Sequence, residues 1–240
     1  MWLGIDAATD YLSLALWQAG APVAHIGMRC QETQAEDVFA LLEFLMQQNR
    51  LTPDALLGVG VARGPGSFTG VRVGLSLAKT VGQMLGIPVH PVDTLDALAW
   101  GCEGAEWVAP MLDARRGAVF GALYRRGGDG WETVLAGRLV AVGDWLDLID
   151  ATVPQGAVTS VVGAGLNRYR EAVTARDPSR WHSASGIGSA VLALAVAKLA
   201  EQRGQADRMV DAEGLSALYL REPQAVIDWE QRQREGGRLV

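Results

Sequence analysis

An internal repeat constrains this chain more than any other feature. With Asp6 set against Asp113, residues 4–20 (GIDAATDYLSLALWQAG) lie over residues 111–127 (MLDARRGAVFGALYRRG). In both segments an apolar strand ends in Asp-Ala, a short polar turn follows, and a second apolar strand ends in Ala-Leu-aromatic. A repeat of this length indicates two related lobes, each beginning with two strands joined by an Asp-bearing turn.

The repeat continues beyond the Asp turns. Residues 59–66 (VGVARGPG) lead from an apolar strand into a helix-like segment, and residues 160–165 (SVVGAG) do the same in the second half. Strands and helices in this order predict an α/β fold, and two such lobes describe the actin-like, sugar-kinase and Hsp70 ATPase architecture. We place the lobes at residues 1–104 and 105–222, with the final helices able to pack back on the first lobe, and a charged tail at 223–240.

Local patterns predict the individual elements. Alternating apolar residues indicate a three-stranded meander over the first thirty residues. Thr33 and Glu36 can form a capping box before a helix of about four turns. A short helix is expected from Thr94, capped by that residue. Final helices are expected over about 187–201 and 214–220, where apolar residues follow helical spacing.

The amino-acid composition limits which partners and which cellular location are expected for the protein. The 240 residues are 49% apolar, which suits a globular fold, and carry a net charge of −6. An acidic chain is poorly suited to bind nucleic acid alone, because such binding relies on Lys and Arg that neutralise phosphates. No apolar run reaches the roughly 20 residues of a membrane span, and no export signal is recognised. We therefore expect a cytoplasmic protein that does not enter a membrane.

Metal and hydrolase chemistry lack their usual residue patterns. The two cysteines, Cys30 and Cys102, match no metal-binding spacing, and we expect reduced thiols. The three histidines, His25, His90 and His182, include no pair four residues apart. This excludes a His-x-x-x-His metal site and disfavours a Ser-His-Asp mechanism.

The stretch GPGSFTG, residues 64–70, stands where a phosphate-cradling loop would stand, between a strand and a helix. It matches neither the Walker nor the dinucleotide spacing of glycines. Both Asp turns also carry alanine or arginine where glycine would let phosphate approach the backbone. A strand-end Asp often only closes its own turn, and we favour that role. A remnant nucleotide or phosphate site would use Asp6, Thr9, Gly64, Gly66, Ser67 and Asp113.

Small residues recur at every fourth position of the helix after this loop, at Gly70, Gly74, Ala78 and Gly82. They form a smooth stripe that lets another backbone come close. Each helical glycine costs about 1 kcal/mol in propensity, so a packing reason is expected. The stripe packs either on the sheet of its own lobe or on a helix of another subunit, and the sequence favours neither.

Residues 3–16, 64–99, 111–124 and 217–226 resemble the TsaB family, also called YeaZ, and GPGSFTGVR is the most specific block. The resemblance implies a two-lobe fold with no catalytic centre or cofactor of its own. It also implies a TsaD-like catalytic partner that transfers threonylcarbamoyl to the adenosine beside the anticodon of tRNA. A TsaE-like ATPase joins the pair. tRNA would be contacted only through the complex, and ATP would enter through the ATPase partner.

In that family the two long helices of the first lobe form the dimer interface, with TsaD or, in a homodimer, with a second copy. The resemblance and the small-residue stripe together predict which residues form this interface. They are Val38, Leu41, Leu42, Leu45, Gly70, Val71, Gly74, Leu75 and Ala78.

Two enzymatic alternatives stay open. The first is an ATP-binding phosphotransferase of the same fold, built on Asp6 and Asp113, and ATP binding that is lost in Asp6→Ala would support it. The second is a glycoprotease-like peptidase, which cleavage by the isolated chain would support. The sequence offers no nucleophile–base pair for the peptidase.

Overall fold

The computed structural model of the chain describes residues 1–29, 35–102, 104–128, 130–183, 190–205 and 214–220. Within these ranges the chain forms two five-stranded sheets flanked by α-helices. None of the helices in the described ranges is long and apolar enough to cross a membrane.

The first sheet has the strand order β3-β2-β1-β4-β5. Its strands are β1 (Trp2–Asp6), β2 (Tyr11–Gln18), β3 (Ala21–Arg29), β4 (Gly58–Ala62) and β5 (Val89–Val92). Strands β1, β2 and β3 pair antiparallel, which confirms the predicted meander. Strands β4 and β5 add in parallel, because a helix returns the chain to the same edge before each of them.

The second sheet repeats this order strand for strand, as β8-β7-β6-β9-β10. Its strands are β6 (Trp107–Asp113), β7 (Ala118–Gly127), β8 (Gly130–Ala141), β9 (Thr159–Val162) and β10 (Trp181–Ser183). Strand β6 pairs antiparallel with β7 and parallel with β9, as β1 pairs with β2 and β4. The sequence repeat is therefore a structural duplication, and the predicted α/β fold of two related lobes is confirmed.

The helices follow the same plan in both halves. In the first half they are α1 (Ala35–Gln48), α2 (Phe68–Leu85) and α3 (Thr94–Trp100), the last of which leads to the second sheet. The second half has α4 (Val142–Thr152), α5 (Ala164–Arg168), α6 (Arg170–Thr174) and α7 (Leu192–Gln205). The 14 residues of α1 make about four turns, as predicted. The predicted capping box of α1 lies outside the described side chains.

The last helix of the described residues, α7, lies against the first sheet. A Cβ on Gly4 in β1 would overlap the Ala193 carbonyl oxygen, and one on Gly60 in β4 would lie 2.6 Å from the Cβ of Ala200. Val61, the next residue of β4, points to the other face and lies beneath α2. Side chains alternate between the two faces of β4. Its glycine therefore lies on the face that packs against α7, and its valine lies on the face that packs against α2.

Two local predictions are wrong. Thr94 does not cap α3, because the N-cap position belongs to Asp93, whose carboxylate forms an ion pair with Arg63. Residues 215–219 are not helical. The Leu218 N–H instead donates to the carbonyl oxygen of Arg63 at 2.8 Å, beside the end of β4. At residues 215–219 a contact distant in sequence therefore overrides the local helical pattern.

Candidate functional site

The Asp6 carboxylate is held by its own turn. It lies at the end of β1 and is fully buried. Its Oδ1 accepts a hydrogen bond from the Ala8 N–H at 2.9 Å, and its Oδ2 accepts one from the Thr9 hydroxyl at 2.8 Å. Burial raises the pKa of Asp6 to about 7, although both hydrogen bonds act in the opposite direction. Both oxygens are thus engaged within the turn.

The glycine loop packs against this turn. The Ser67 N–H donates to the Ala8 carbonyl oxygen at 2.8 Å, and a Cβ on Gly66 would overlap that same oxygen. Gly64 has a φ of +104°, and a Cβ there would lie 2.7 Å from the Leu218 carbonyl oxygen. The Ser67 hydroxyl caps α2 by accepting an N–H of its first turn. The loop glycines therefore allow close backbone packing on two sides.

The equivalent turn of the second lobe is held differently. The Asp113 Oδ1 accepts hydrogen bonds from the Arg115 N–H at 2.8 Å and from the Tyr169 hydroxyl at 3.1 Å. The Arg168 Nε lies 3.7 Å from the Asp113 Oδ2. Burial, and then the hydrogen bond to Asp113, raise the pKa of Tyr169. Side chains from the end of α5 therefore cover this carboxylate.

Tyr169 and Arg168 are not among the site residues predicted from the sequence. The sequence repeat could have indicated them, because it aligns the helical segment after β9 with α2 of the first lobe. A helix in that position begins next to the Asp turn of its own lobe, as α2 does beside Asp6. Residues at the end of such a short helix can therefore reach Asp113.

The small-residue stripe of α2 faces the sheet of its own lobe. A Cβ on Gly70 would overlap the Ala7 carbonyl oxygen, and one on Gly82 would overlap the Val89 side chain in β5. At Gly74 the nearest atoms to an added Cβ would be 3.6 Å away, an ordinary contact distance. Of the two explanations for the stripe, the structure supports packing within the lobe.

The predicted interface residues are mostly enclosed within the chain. Seven of the nine predicted residues are buried within the chain: Val38, Leu45, Gly70, Val71, Gly74, Leu75 and Ala78. The other two, Leu41 and Leu42, are half-buried. Buried side chains offer a partner little contact area, so we expect an interface on α1 and α2 to rest mainly on outward-facing residues. That these two helices carry the interface stays a prediction.

Large apolar side chains do point outward from these helices. Phe39 and Phe44 of α1 are 49% and 51% exposed, and Met84 of α2 is 80% exposed. None of these three residues is among the interface residues predicted from the sequence. They could have been found as large apolar residues outside the core spacing of α1 and α2, because such residues often mark contact surfaces.

Two histidines and Cys102 lie largely inside the protein. His25 is half-buried and His90 is buried, and burial lowers the pKa of each imidazole. Burial raises the pKa of the Cys102 thiol to about 11, which makes it unreactive near neutral pH. Cys30 lies outside the described residues. Among the residues that are described, no three His, Cys, Asp or Glu side chains form a group that could hold a metal ion.

The duplicated sheets, each with an Asp-bearing turn between its first two strands, define the class of fold. They place the chain among the actin-like, sugar-kinase and Hsp70 ATPase (ASKHA) folds. The solved structure of YeaZ from Pseudomonas aeruginosa is similar to the chain, with a TM-score of 0.74 and 24% sequence identity. The match covers 91% of this chain and 99% of that chain, so it extends over both lobes.

Sequence comparison gives the family. The model of a family described as "TsaD: tRNA N6-adenosine threonylcarbamoyltransferase" matches residues 29–221. The tRNA threonylcarbamoyladenosine biosynthesis protein TsaB of Bacillus subtilis is 32% identical over 150 residues, covering 61% of this chain and 65% of that protein. TsaB of Escherichia coli is 33% identical over 131 residues, covering 53% and 56%. The alignments thus span between about half and two thirds of these relatives. The chain belongs to this family, in its TsaB (YeaZ) group.

Proposed function

We propose that the chain is a non-catalytic subunit that dimerises with a TsaD-like catalytic subunit and activates it for tRNA threonylcarbamoylation. The observation that carries this proposal is that the carboxylates of Asp6 and Asp113 both accept hydrogen bonds from groups of the chain itself. In an ATPase of this fold, those turns would face the nucleotide. Here the Asp6 oxygens bond within their turn, and the glycine loop packs on the same turn. A subunit that leaves the chemistry to its partner fits this geometry.

The charge of the chain fits an indirect contact with tRNA. A net charge of −6 repels the phosphate backbone, so the partner would supply the cationic surface. ATP would enter the complex through a TsaE-like ATPase and not through this chain. The cytoplasm, where tRNA is modified, is the proposed location.

The proposed interface is the outer surface of α1 and α2. It exposes Phe39, Phe44 and Met84, and exposed apolar side chains of this size are common at protein contacts. The same surface would form a homodimer when the catalytic partner is absent. Docking activates the partner only if this chain binds the competent conformation more tightly than the inactive one.

A tRNA threonylcarbamoylation assay with a TsaD-like subunit and the other pathway proteins tests the proposal. Activity should require the chain. Phe44→Glu should lower both the binding of the partner and the activation at least about tenfold, because it places a charge in an apolar contact. Val158→Glu is the matched control, since Val158 is 45% exposed in the second lobe and Phe44 is 51% exposed. Activity that is indifferent to the chain, or equal losses in both variants, would contradict the proposal.

The enzymatic alternatives have their own outcome. A calorimetric ATP titration of the isolated chain should give no saturable binding that depends on Asp6. Saturable binding that Asp6→Asn removes would replace the subunit proposal with a phosphotransferase. Cleavage of protein substrates by the isolated chain would replace it with a peptidase. Neither alternative is favoured by a described contact.

A further inference from the structure

A cavity of about 280 Å³ lies between α3, α7 and the β7–β8 hairpin. Arg126 of β7 lines it, near the end of that strand opposite the Asp113 turn. The cavity is therefore separate from the turns that bind nucleotide phosphates in ATPases of this fold. Its lining combines cationic and indole side chains, and nothing in the proposed function accounts for it.

Two cations in this cavity lie over tryptophan rings. The Lys198 Nζ is 4.2 Å from the ring centroid of Trp100, and the Arg126 Cζ is 4.2 Å from that of Trp131. The indole faces hold both cations in place without neutralising them. Neither cation forms an ion pair with a carboxylate among the residues that the structure describes.

The remaining charges in the cavity are matched to one another. Asp96 is the single carboxylate among the described lining residues. It accepts a hydrogen bond from the Tyr124 hydroxyl at 2.6 Å and pairs with Arg203 at 3.4 Å. The positive charges of Lys198 and Arg126 are therefore left in excess, on a chain whose net charge is −6. Such a local positive potential on an acidic protein attracts anions.

We propose that this cavity binds a small phosphorylated ligand, with the phosphate held by Arg126 and Lys198 and the organic part against Trp100 and Trp131. Guanidinium and ammonium groups together supply charge-assisted hydrogen bonds to phosphate oxygens. The indole walls lower the local dielectric, which strengthens these bonds, and they offer flat surfaces for stacking. A volume of about 280 Å³ admits a phosphate with a small organic group but not a large cofactor.

The two possible sources of the phosphate group are a free ion and a phosphomonoester. The indole N–H resonances of Trp100 and Trp131 in the full chain, assigned with Trp→Phe variants, report binding of either. Inorganic phosphate and AMP are titrated at constant ionic strength, with potassium chloride as the reference. We expect saturable shifts with a Kd between about 0.1 and 10 mM. Tighter binding of AMP would support a phosphomonoester whose organic part contacts the indole rings. Equal binding would overturn that role of the indole rings and leave a site for phosphate alone.

Variants separate a binding site from a purely structural cation–π cluster. Arg126→Gln and Lys198→Gln should each weaken binding at least about fivefold. Arg125→Gln is the matched control, because Arg125 precedes Arg126 in β7 and lies over the Trp107 ring, 5.6 Å from its centroid, but outside the cavity. Thermal unfolding checks that all three variants fold. The proposal is overturned if no shift saturates by about 50 mM, if chloride alone reproduces the shifts, or if Arg125→Gln weakens binding as much as Arg126→Gln.

Discussion

Glu201 of α7 accepts a hydrogen bond from the indole N–H of Trp17 at 3.0 Å, although the two residues are 184 positions apart. The same buried carboxylate also accepts the N–H groups of Ala19 and Gly20, at 3.0 and 3.1 Å. These two residues form the turn between β2 and β3, where both have positive φ. One side chain thus ties the last described helix to the first meander.

Glu201→Gln should lower the free energy of unfolding by about 1–3 kcal/mol. The carboxamide keeps the shape of the carboxylate but replaces one of its two acceptor oxygens with an NH₂ group, which then faces at least one of the three donors. Urea denaturation measures the loss. Glu43→Gln is the control, because the hydrogen bond from Gln47 to Glu43 is exposed and should change stability by less than about 0.5 kcal/mol. Equal losses in the two variants would show that Glu201 does not hold the turn.

Much of the fold could be predicted from sequence, because the duplicated pattern of strand, Asp turn and strand fixes the core of both sheets. The identity of the helix packed on β1 and β4 could not. Gly4 and Gly60 indicate that a backbone comes close to these strands, but not which one. The approaching residues, Ala193 and Ala200, are more than a hundred positions away in the chain.

The candidate site could be predicted less well, for the same reason. The spacing of the small residues that begins at Gly70 defines one face of α2. It does not show which atoms pack against that face. The structure places the Ala7 carbonyl oxygen there, so the stripe is part of the core. The hydrogen bonding of the Asp6 carboxylate within its own turn could be predicted, because Thr9 follows at a spacing that allows a local side-chain hydrogen bond. The hydrogen bond from Tyr169 to Asp113 could not be predicted, because the two residues are far apart in the sequence.

Two glycines of α2 should respond in opposite ways to the same change. Gly70→Ala should cost several kcal/mol, on the order of 3 or more, because the new Cβ overlaps a backbone oxygen that cannot move easily. Gly74→Ala should be neutral or stabilise by up to about 1 kcal/mol, because alanine has the higher helix propensity and the nearest atoms are 3.6 Å away. Thermal unfolding compares them. A larger loss for Gly74→Ala would mean that the stripe faces another way.

The segment 214–220 should be held mainly by its buried leucine. Leu215 is 4% exposed, and Leu215→Ala should cost about 2–3 kcal/mol. Tyr219 is 43% exposed, lies 5.1 Å from the Phe68 ring centre and accepts a hydrogen bond from Arg72. Tyr219→Ala should cost only about 1 kcal/mol. Hydrogen exchange of the Leu218 amide measures how readily the segment is released. Faster exchange in Tyr219→Ala than in Leu215→Ala would contradict the expected order of the two losses.

Asp6 should make stability depend on pH near neutrality. Its pKa is raised from 3.8 to about 7 by burial, so between these values the folded chain binds a proton that the unfolded chain does not. The free energy of unfolding therefore falls as the pH rises through this window, by at most about 1.4 kcal/mol per pH unit for one proton.

Asp6→Asn isolates this contribution, because asparagine is neutral at every pH and resembles the protonated acid in shape. Urea unfolding of both proteins at about pH 5, 6, 7 and 8 gives the difference in stability at each pH. This difference should shift steadily in favour of Asp6→Asn as the pH rises, and should level off above about pH 7, where Asp6 is ionised in both states. A difference that does not change with pH would show that Asp6 does not titrate in this window. That outcome would mean that the folded turn stabilises the carboxylate as an anion, which keeps its pKa below this window.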